Sequence, residues 1–392
     1  MSKKRIFGFA FIVVFAIFML FGKTIVIGIN DYIDNKKIID NMPNAVETEL
    51  FNKELDKRTY YYYNRLTDEQ KIAYITVYSE MIGFEESRRI AINSDEIEDV
   101  FVAVLYDNPQ IFWVDSNYEF YDYEDSVQLN LKYRNTEAEA AEINKNLYEK
   151  LSQIMSSIDD NASDYQIEKY FHDYVCENTV YDETTYGNIG NTAYSSLLDG
   201  KSICEGYARA MQILLDSAGI RNYVVIGDGV TEEGTDAHMW NIVEIDGENY
   251  HLDATWNDTS MDDRFGYMYF NVTDDFISDD HINIVPADNN CISTKYNYFV
   301  MNNLYVEDFN SLNDLINPVS DALKNDDNFV EILFSNEKEL AKVMNIIEKD
   351  NFKFFNFIEK TVRKSGKNFS INEIEYLTID EHNYLCLIYK EG

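Results

Sequence analysis

Cys204, His238 and Asp253 carry the side chains of this sequence best suited to covalent chemistry, and they lie 34 and 15 residues apart. A thiol becomes a nucleophile when a base takes its proton, an imidazole can be that base, and a carboxylate can fix the imidazole tautomer. Three such residues within 50 positions suggest acyl transfer through a covalent intermediate, provided the elements carrying them bring the side chains together.

The run G-K-S-I-C-E-G-Y-A-R-A-M-Q-I-L-L-D-S-A-G over residues 200–219 predicts a helix. Ser202 as N-cap with Glu205 at N3 makes a capping box and places Cys204 at N2. Ile203, Tyr207, Ala210, Met211, Leu214 and Ala218 line one face, and Gly219 supplies the stop. A first-turn cysteine meets the positive end of the helix dipole, which favours thiolate, and the first-turn N–H groups point where an oxyanion would form. Tyr223 to Ile226 reads as a buried strand, Asp228 to Ala237 as a polar loop, and His238 to Ile245 as a second strand. Asp246-Gly247 is a two-residue hairpin signal, with Tyr250 to Thr255 returning as a third strand. Pairing Ile245 with Glu248 sets Trp240 opposite Asp253 and His238 opposite Thr255. His238 and Asp253 are then diagonal neighbours on one face, at about 7 Å between Cβ atoms. A one-residue slip would move both to the other face.

His251, opposite Ile242 on the Asp253 face and further from the strand end where His238 meets the loop, is the competing base. His172, His281 and His382 have no companion residues that suggest a role. Trp240 and Trp256 suit either a cleft wall or a core edge. The four cysteines, Cys176, Cys204, Cys291 and Cys386, show no C-x-x-C pair and no zinc spacing. A single disulfide among Cys176, Cys291 and Cys386 is left open. Residues 159–170 start like a calcium loop but lack its Gly at position 6 and Glu at position 12. Neither a metal nor a cofactor is expected.

The elements around this set follow from composition and periodicity. With 33 basic against 70 acidic residues the net charge is -37, which repels phosphate backbones and argues against nucleic acid. The 45% hydrophobic content supplies packed cores. Lys3, Lys4 and Arg5 precede the apolar stretch Ile6 to Gly22, extended by Ile25 to Ile29, with no small-residue cleavage site after it. That pattern predicts an uncleaved signal anchor with the bulk of the chain outside the cytoplasm. Beyond it, Thr67 and Gln70 form a capping box before a helix carrying Ile72, Ile75, Tyr78 and Ile82, and Ser94 caps a second helix ending at Asn108-Pro109. Ile111 to Val114 and the alternation Val127, Leu129, Leu131, Tyr133 read as strands, followed by a helix through Leu147, Leu151, Ile154 and Ile158. The tyrosines Tyr60 to Tyr63 fit packing better than glycan binding. A last unit has a strand at Val330 to Phe334, a helix opened by Asn336 and Glu339, and strands near Ile374 to Leu377 and Tyr384 to Tyr389. It shows no catalytic grouping.

The motifs G-K-S-I-C-E-G-Y-A, A-G-I at 218–220, H-M-W-N around His238 and Y-H-L-D-A-T-W around Asp253 together resemble the transglutaminase-like superfamily core. The segments Y-Y-Y-N-R-L-T-D-E-Q and L-Y-D-N-P-Q-I-F-W-V-D resemble the N-terminal part of its bacterial membrane-anchored members. The resemblance implies an α+β fold with a papain-like core, a Cys-bearing helix packed on an antiparallel sheet. It implies Cys204 as nucleophile, His238 as general base then acid, and Asp253 as orienter, with a protein or peptide substrate that could belong to the cell wall. The expected organisation is an anchor at 1–30, an N-terminal α+β unit at 45–160, the catalytic domain at 164–300 and a small α+β module at 304–392. Hydrolysis is preferred, bacterial relatives of this kind being taken as proteases. Glutamine–lysine cross-linking and a catalytically silent surface binding module are the alternatives. An oxyanion-hole side chain upstream of the cysteine is left unassigned.

Overall fold

The computed structural model describes residues 58–391 apart from 86–87, 124, 186–189, 233, 260–265, 323–328 and 365–368, together with 25–26, 48 and 51. The apolar stretch Ile6 to Gly22 lies outside the described residues. Within its expected extension, Ile25–Val26 forms a two-residue strand parallel to Phe120–Tyr121, a placement that suits β-branched side chains. Among the described residues no helix is long and apolar enough to cross a membrane.

The Thr67–Gln70 capping box forms and opens helix α1 (Asp68–Gly83). Its buried face is Ala73, Tyr74, Val77 and Met81, whereas Ile72 and Ile82 are exposed. Ile75 of the expected set is buried too, and an aromatic cluster covers this side: Phe51 packs against Tyr60, Tyr63, Tyr74 and Tyr78. The tyrosine run is therefore packed, with Tyr61 stacked on Tyr223 at 3.6 Å. Helix α2 (Ile97–Asp107) ends at Asn108 as expected, but Glu96 and not Ser94 stands at its N-cap. Strands β1 (Glu119–Tyr123) and β2 (Ser126–Asn130) make a hairpin. The run Ile111 to Val114 is buried but forms no strand, only one bridge from Val114 to Tyr133. An apolar run reports burial, and a ladder also needs a partner. Helix α3 (Glu137–Met155) follows, capped by Thr136 and Glu139.

Helix α4 (Asp164–Asn178) and helix α5 (Cys204–Ser217) lead into a five-stranded sheet. Its strands are β3 (Asn222–Thr231), β4 (Gly234–Ile245), β5 (Glu248–Leu252), then, beyond helix α6 (Ala254–Thr259), β6 (Phe270–Val272) and β7 (His281–Val285). The spatial order is β6-β5-β4-β3-β7, antiparallel throughout. The expected loop 228–237 is mostly ladder, because β3 and β4 stay paired out to Thr231 and Gly234. Tyr207, Met211 and Leu214 of α5 share a core with Val243, Ile245 and Tyr250 of the sheet. The helix is buried well beyond that one face, since the N-terminal unit covers it too. Arg209 and Gln212 donate to the carbonyls of Leu105 and Tyr106, the last turn of α2, whose carbonyls have no intrahelical partner.

In the last unit β8 (Phe329–Phe334) is followed by α7 (Glu337–Lys349), opened by Asn336 as expected, and by α8 (Asn351–Lys364), a helix the periodicity did not separate. Strands β9 (Phe369–Ile379) and β10 (Tyr384–Glu391) complete a sheet with β8 and Tyr305–Val306. Leu385, Leu387 and Val343 belong to the same hydrophobic cluster as Tyr207 and Leu214, so this unit is packed onto the central one.

Candidate active site

Helix α5 begins one residue later than its sequence suggests. Ile203 is the N-cap, with no side-chain cap bond, and Cys204 is the first helical residue. Ser202 instead ends a short strand, Lys201–Ser202, and its hydroxyl donates to the Gly190 carbonyl at 2.6 Å. Glu205 pairs with Arg209 at 2.9 Å in place of closing a capping box. Gly206 explains how the chain can pack here: a Cβ on it would lie 1.8 Å from Ser202 Oγ and 2.7 Å from the Gly190 carbonyl. The start of the helix thus lies against residues 190–192. Cys204 is 4% exposed, and its backbone N–H belongs to the first turn, where no intrahelical acceptor exists.

The hairpin register is as expected from Ile245–Glu248 to Asn241–Leu252, turning at Asp246 and Gly247, both with positive φ. The third strand stops at Leu252, short of the expected Thr255, so the pairs Trp240–Asp253 and His238–Thr255 do not form. His238 pairs with Gly227 on its other side. Asp253 leaves the ladder and begins α6: its Oδ1 accepts the N–H groups of Thr255 at 2.9 Å and Trp256 at 3.2 Å. The diagonal contact survives this change. Asp253 Oδ2 lies 2.6 Å from His238 Nε2.

A carboxylate can only accept, so His238 carries its proton on Nε2 and leaves Nδ1 for Cys204, which is close enough to act on the charge of the ring. Burial works against a charged imidazole at this site. The charge and hydrogen bond of Asp253, followed by those of Cys204, outweigh it and raise His238 to about 9. Burial likewise opposes the Asp253 anion, yet His238 and then His281 hold its pKa far below the ordinary carboxylate range. Trp240 stacks on the His238 ring at 5.7 Å and Trp256 lies against it at 5.5 Å, so both wall the imidazole.

Two neighbours of this set were not visible in the sequence. Tyr181, in the short strand Val180–Tyr181, pairs with Ser202, which places it within electrostatic reach of Cys204. Burial, then Cys204, Glu183 and Asp236, push its hydroxyl pKa up, so it stays a proton donor. His281 is the second: its Nε2 lies 3.1 Å from Asp253 Oδ2. No local motif announces either one, because their partners are brought in by the fold.

His251 pairs with Ile242, as the register predicts, and is wholly buried away from Cys204. Trp240 Nε1 donates to its Nδ1 at 2.9 Å, and its Nε2 lies 2.8 Å from Asp274. His172 sits between Asp173 on Nδ1 and Asn257 on Nε2. None of the four cysteines forms a disulfide, which removes the bridge left open among Cys176, Cys291 and Cys386. Two groups among the described residues have donor atoms within 4.8 Å of one another, His238–Asp253–His281 and His251–Asp274–Cys291. In the second, the Trp240 donor keeps the His251 proton on Nε2, the nitrogen a cation would need. In the first, all three side chains already satisfy one another.

Residues 150–254 match the family model of the transglutaminase-like superfamily, a span that contains Cys204, His238 and Asp253. No curated protein matches the chain. Among solved structures, one described as a TGase aligns over 45% of this chain and 53% of its own, at 15% identity and a TM-score of 0.27. A second, a "Putative Cysteine Protease from Cytophaga hutchinsonii", aligns over 28% and 37%, at 13% identity and a TM-score of 0.23. The chain therefore spans about half the length of the first structure and little more than a third of the second, and likenesses this partial carry nothing further. Residues 150–254, with the cysteine helix and the histidine strand inside that span, are thus what this chain shares with the transglutaminase-like superfamily.

Proposed function

We propose that the protein is a thiol acyl-transfer enzyme acting on protein amide bonds, with Cys204 as nucleophile, His238 as base then acid, and Asp253 as orienter. One observation carries this reading: Asp253 occupies Nε2 of His238 and so leaves Nδ1 for the sulfur at the start of α5. The Cys204 thiolate attacks the amide carbonyl and forms a tetrahedral oxyanion. The Cys204 N–H receives that charge, and the Tyr181 hydroxyl, within electrostatic reach of Cys204, is a second donor for it. The imidazolium of His238 protonates the departing amine as the C–N bond breaks, leaving a thioester. Water activated by the now neutral His238 then cleaves the thioester, giving a carboxylic acid and the free thiol.

Hydrolysis is the preferred outcome, which makes the chain a cysteine peptidase or amidohydrolase. Incubating the protein with Gln- and Lys-bearing peptides tests this by mass spectrometry. Chain cleavage or a gain of about 1 mass unit supports hydrolysis, and ligation with a loss of about 17 identifies cross-linking through the same thioester. No change of any peptide, together with equal slow alkylation of all four cysteines, overturns the enzymatic reading in favour of a silent binding module. The basic cluster Lys3 to Arg5 ahead of the apolar Ile6 to Gly22 supports a membrane-anchored, extracytoplasmic placement. Protease digestion of intact cells tests it: loss of the ectodomain supports the placement, and protection overturns it.

A further inference from the structure

The proposed reaction uses one face of Asp253. The other face meets a chain of titratable side chains that leads out of the central sheet. His281, the first residue of β7 and 1% exposed, places Nε2 3.1 Å from Asp253 Oδ2 and Nδ1 2.6 Å from Asp280 Oδ1. Asp280 Oδ2 in turn lies 2.6 Å from His382 Nε2, 102 residues further on, in the turn between β9 and β10. The Tyr269 hydroxyl donates to the same Asp280 oxygen. His382 is 3% exposed, stacks on Phe276 at 4.5 Å, and has Asp279 3.8 Å from its Nδ1.

We infer that His281, Asp280 and His382 form a positioning relay by which the C-terminal unit holds the Asp253 carboxylate in place for His238. The inference rests on the proposed roles of His238 and Asp253. Its physical basis is the bonding of the carboxylate. Oδ1 is fixed by two N–H groups of α6, and Oδ2 accepts from two imidazoles at once. With both oxygens committed, Asp253 cannot rotate away as charge moves on His238 during turnover. His281 can satisfy carboxylates on both of its nitrogens only as an imidazolium, since the neutral ring has one N–H. Burial opposes that charge, but the bonds to Asp253 and Asp280 outweigh it and raise the pKa. The other charged or titratable groups facing His281 are His238 at 5.4 Å between rings, Tyr269 at 5.4 Å, and His251 through its field. Trp240 and Trp256 pack the remaining sides at 4.8 and 4.3 Å. A second cation on the same oxygen competes with His238 for it, so His281 both anchors the carboxylate and restrains the basicity of His238.

The chain has five histidines, so the ring signals of the full-length protein can be assigned by single substitutions and titrated by NMR with no substrate. The wild type should show His238 titrating near 9, and C204S should lower that midpoint. H281Q, which keeps an N–H donor but removes the charge, should raise the His238 midpoint by about half a unit to one unit. H281L, which removes the donor as well, should slow iodoacetamide alkylation of Cys204 at neutral pH by about tenfold. H382Q should move the His281 midpoint by a few tenths of a unit, roughly, through Asp280. If His238 is raised and senses C204S but neither its midpoint in H281Q nor the His281 midpoint in H382Q moves, the relay is overturned and the active-site reading stands. If His238 titrates near its ordinary value and ignores C204S, the active-site reading fails and takes the relay with it. H281L is the variant most exposed to misfolding; H281Q, nearly isosteric and polar, keeps the test decisive.

Discussion

The central sheet carries the same three residue types twice. Cys204 and Asp253 flank His238 of β4, and Cys291 and Asp274 lie with His251 of β5. Both histidines are buried, and both give Nε2 to a carboxylate at similar distances, 2.6 and 2.8 Å. The difference lies on the other nitrogen and on the sulfur. His238 keeps Nδ1 for Cys204, whereas His251 spends its Nδ1 accepting the Trp240 N–H. Cys204 starts a helix, whereas Cys291 lies outside the helices and strands, where burial and then the charge of Asp274 push its thiol pKa up. The local balance differs accordingly: His238 is raised, and His251 is lowered because burial exceeds the help from Asp274. A Cys–His–Asp set becomes a candidate nucleophile only when one ring nitrogen is left for the sulfur and a set of N–H groups waits for the oxyanion.

The sharpest way to break this comparison is to delete each sulfur. C204A should abolish turnover, by about 10⁴-fold or more, while C291A should change it less than about threefold. Comparable losses in both variants, measured on any peptide the wild type cleaves, would remove the distinction. D253N comes next, with an expected loss of about 10²- to 10⁴-fold. An amide at this position can donate as well as accept, so it releases the His238 tautomer that leaves Nδ1 for sulfur. D274N, by the same logic, should leave turnover within about threefold. Y181F follows, at about 10- to 100-fold in kcat with KM little changed if the phenol meets the oxyanion. An increase in KM alone would assign Tyr181 to ground-state binding.

Much of this arrangement was legible in the residues. The hairpin register from Asp246-Gly247 placed His238 diagonal to Asp253, and the contact is there although the third strand ends at Leu252. Register is a period-2 property, so a hairpin signal plus alternation decides it. The end of a strand is set by the element after it, here the helix that Asp253 itself caps. The N-cap of α5 was misplaced by one residue because Ser202 has a better use, bonding the Gly190 carbonyl that Gly206 allows to approach. Of the residues expected on α1, Ile75 is buried and Tyr78 packs on Phe51, while Ile72 and Ile82 are exposed, because the Phe51 cluster decides which side of the helix is covered. His281 could not be found by any local rule. Asp280 adjoins it in the chain, but Asp253 is 28 residues away and His382, bonded to Asp280, is 102 residues beyond.

Acidity offers a gentler lever on the same comparison. His238 is raised to about 9 in the folded protein against about 6.5 unfolded, so it takes up a proton on folding between those values. Its contribution to stability is complete below about pH 6.5 and is lost as pH rises through 9. The sign for His251 is opposite: its folded pKa is lowered, so the neutral ring favours the folded state and protonation in acid opposes it. H238Q should therefore flatten the fall in Tm between about pH 6.5 and 9, and H251Q should flatten the acid side instead. Identical Tm profiles for the two variants would mean that the two rings share one kind of environment.

The smallest effect on reactivity belongs to H251L. Leucine fills much of the imidazole's space but leaves the Trp240 N–H with no acceptor in a residue 1% exposed, and that orphaned donor costs about 1–3 kcal/mol. Asp274, by contrast, has a side chain 42% exposed and can turn to water, so its lost partner adds little. The variant should therefore unfold several degrees lower while Cys204 alkylates within about twofold of the wild-type rate. Trp240 makes the outcome informative, since it stacks on His238 while bonding His251 and so links the two groups physically. If alkylation of Cys204 slows in step with the loss of stability, Trp240 transmits strain from one set to the other, and they must be treated as a single unit. If only stability falls, the sheet keeps its two Cys–His–Asp groups independent, one holding the fold and the other free for chemistry.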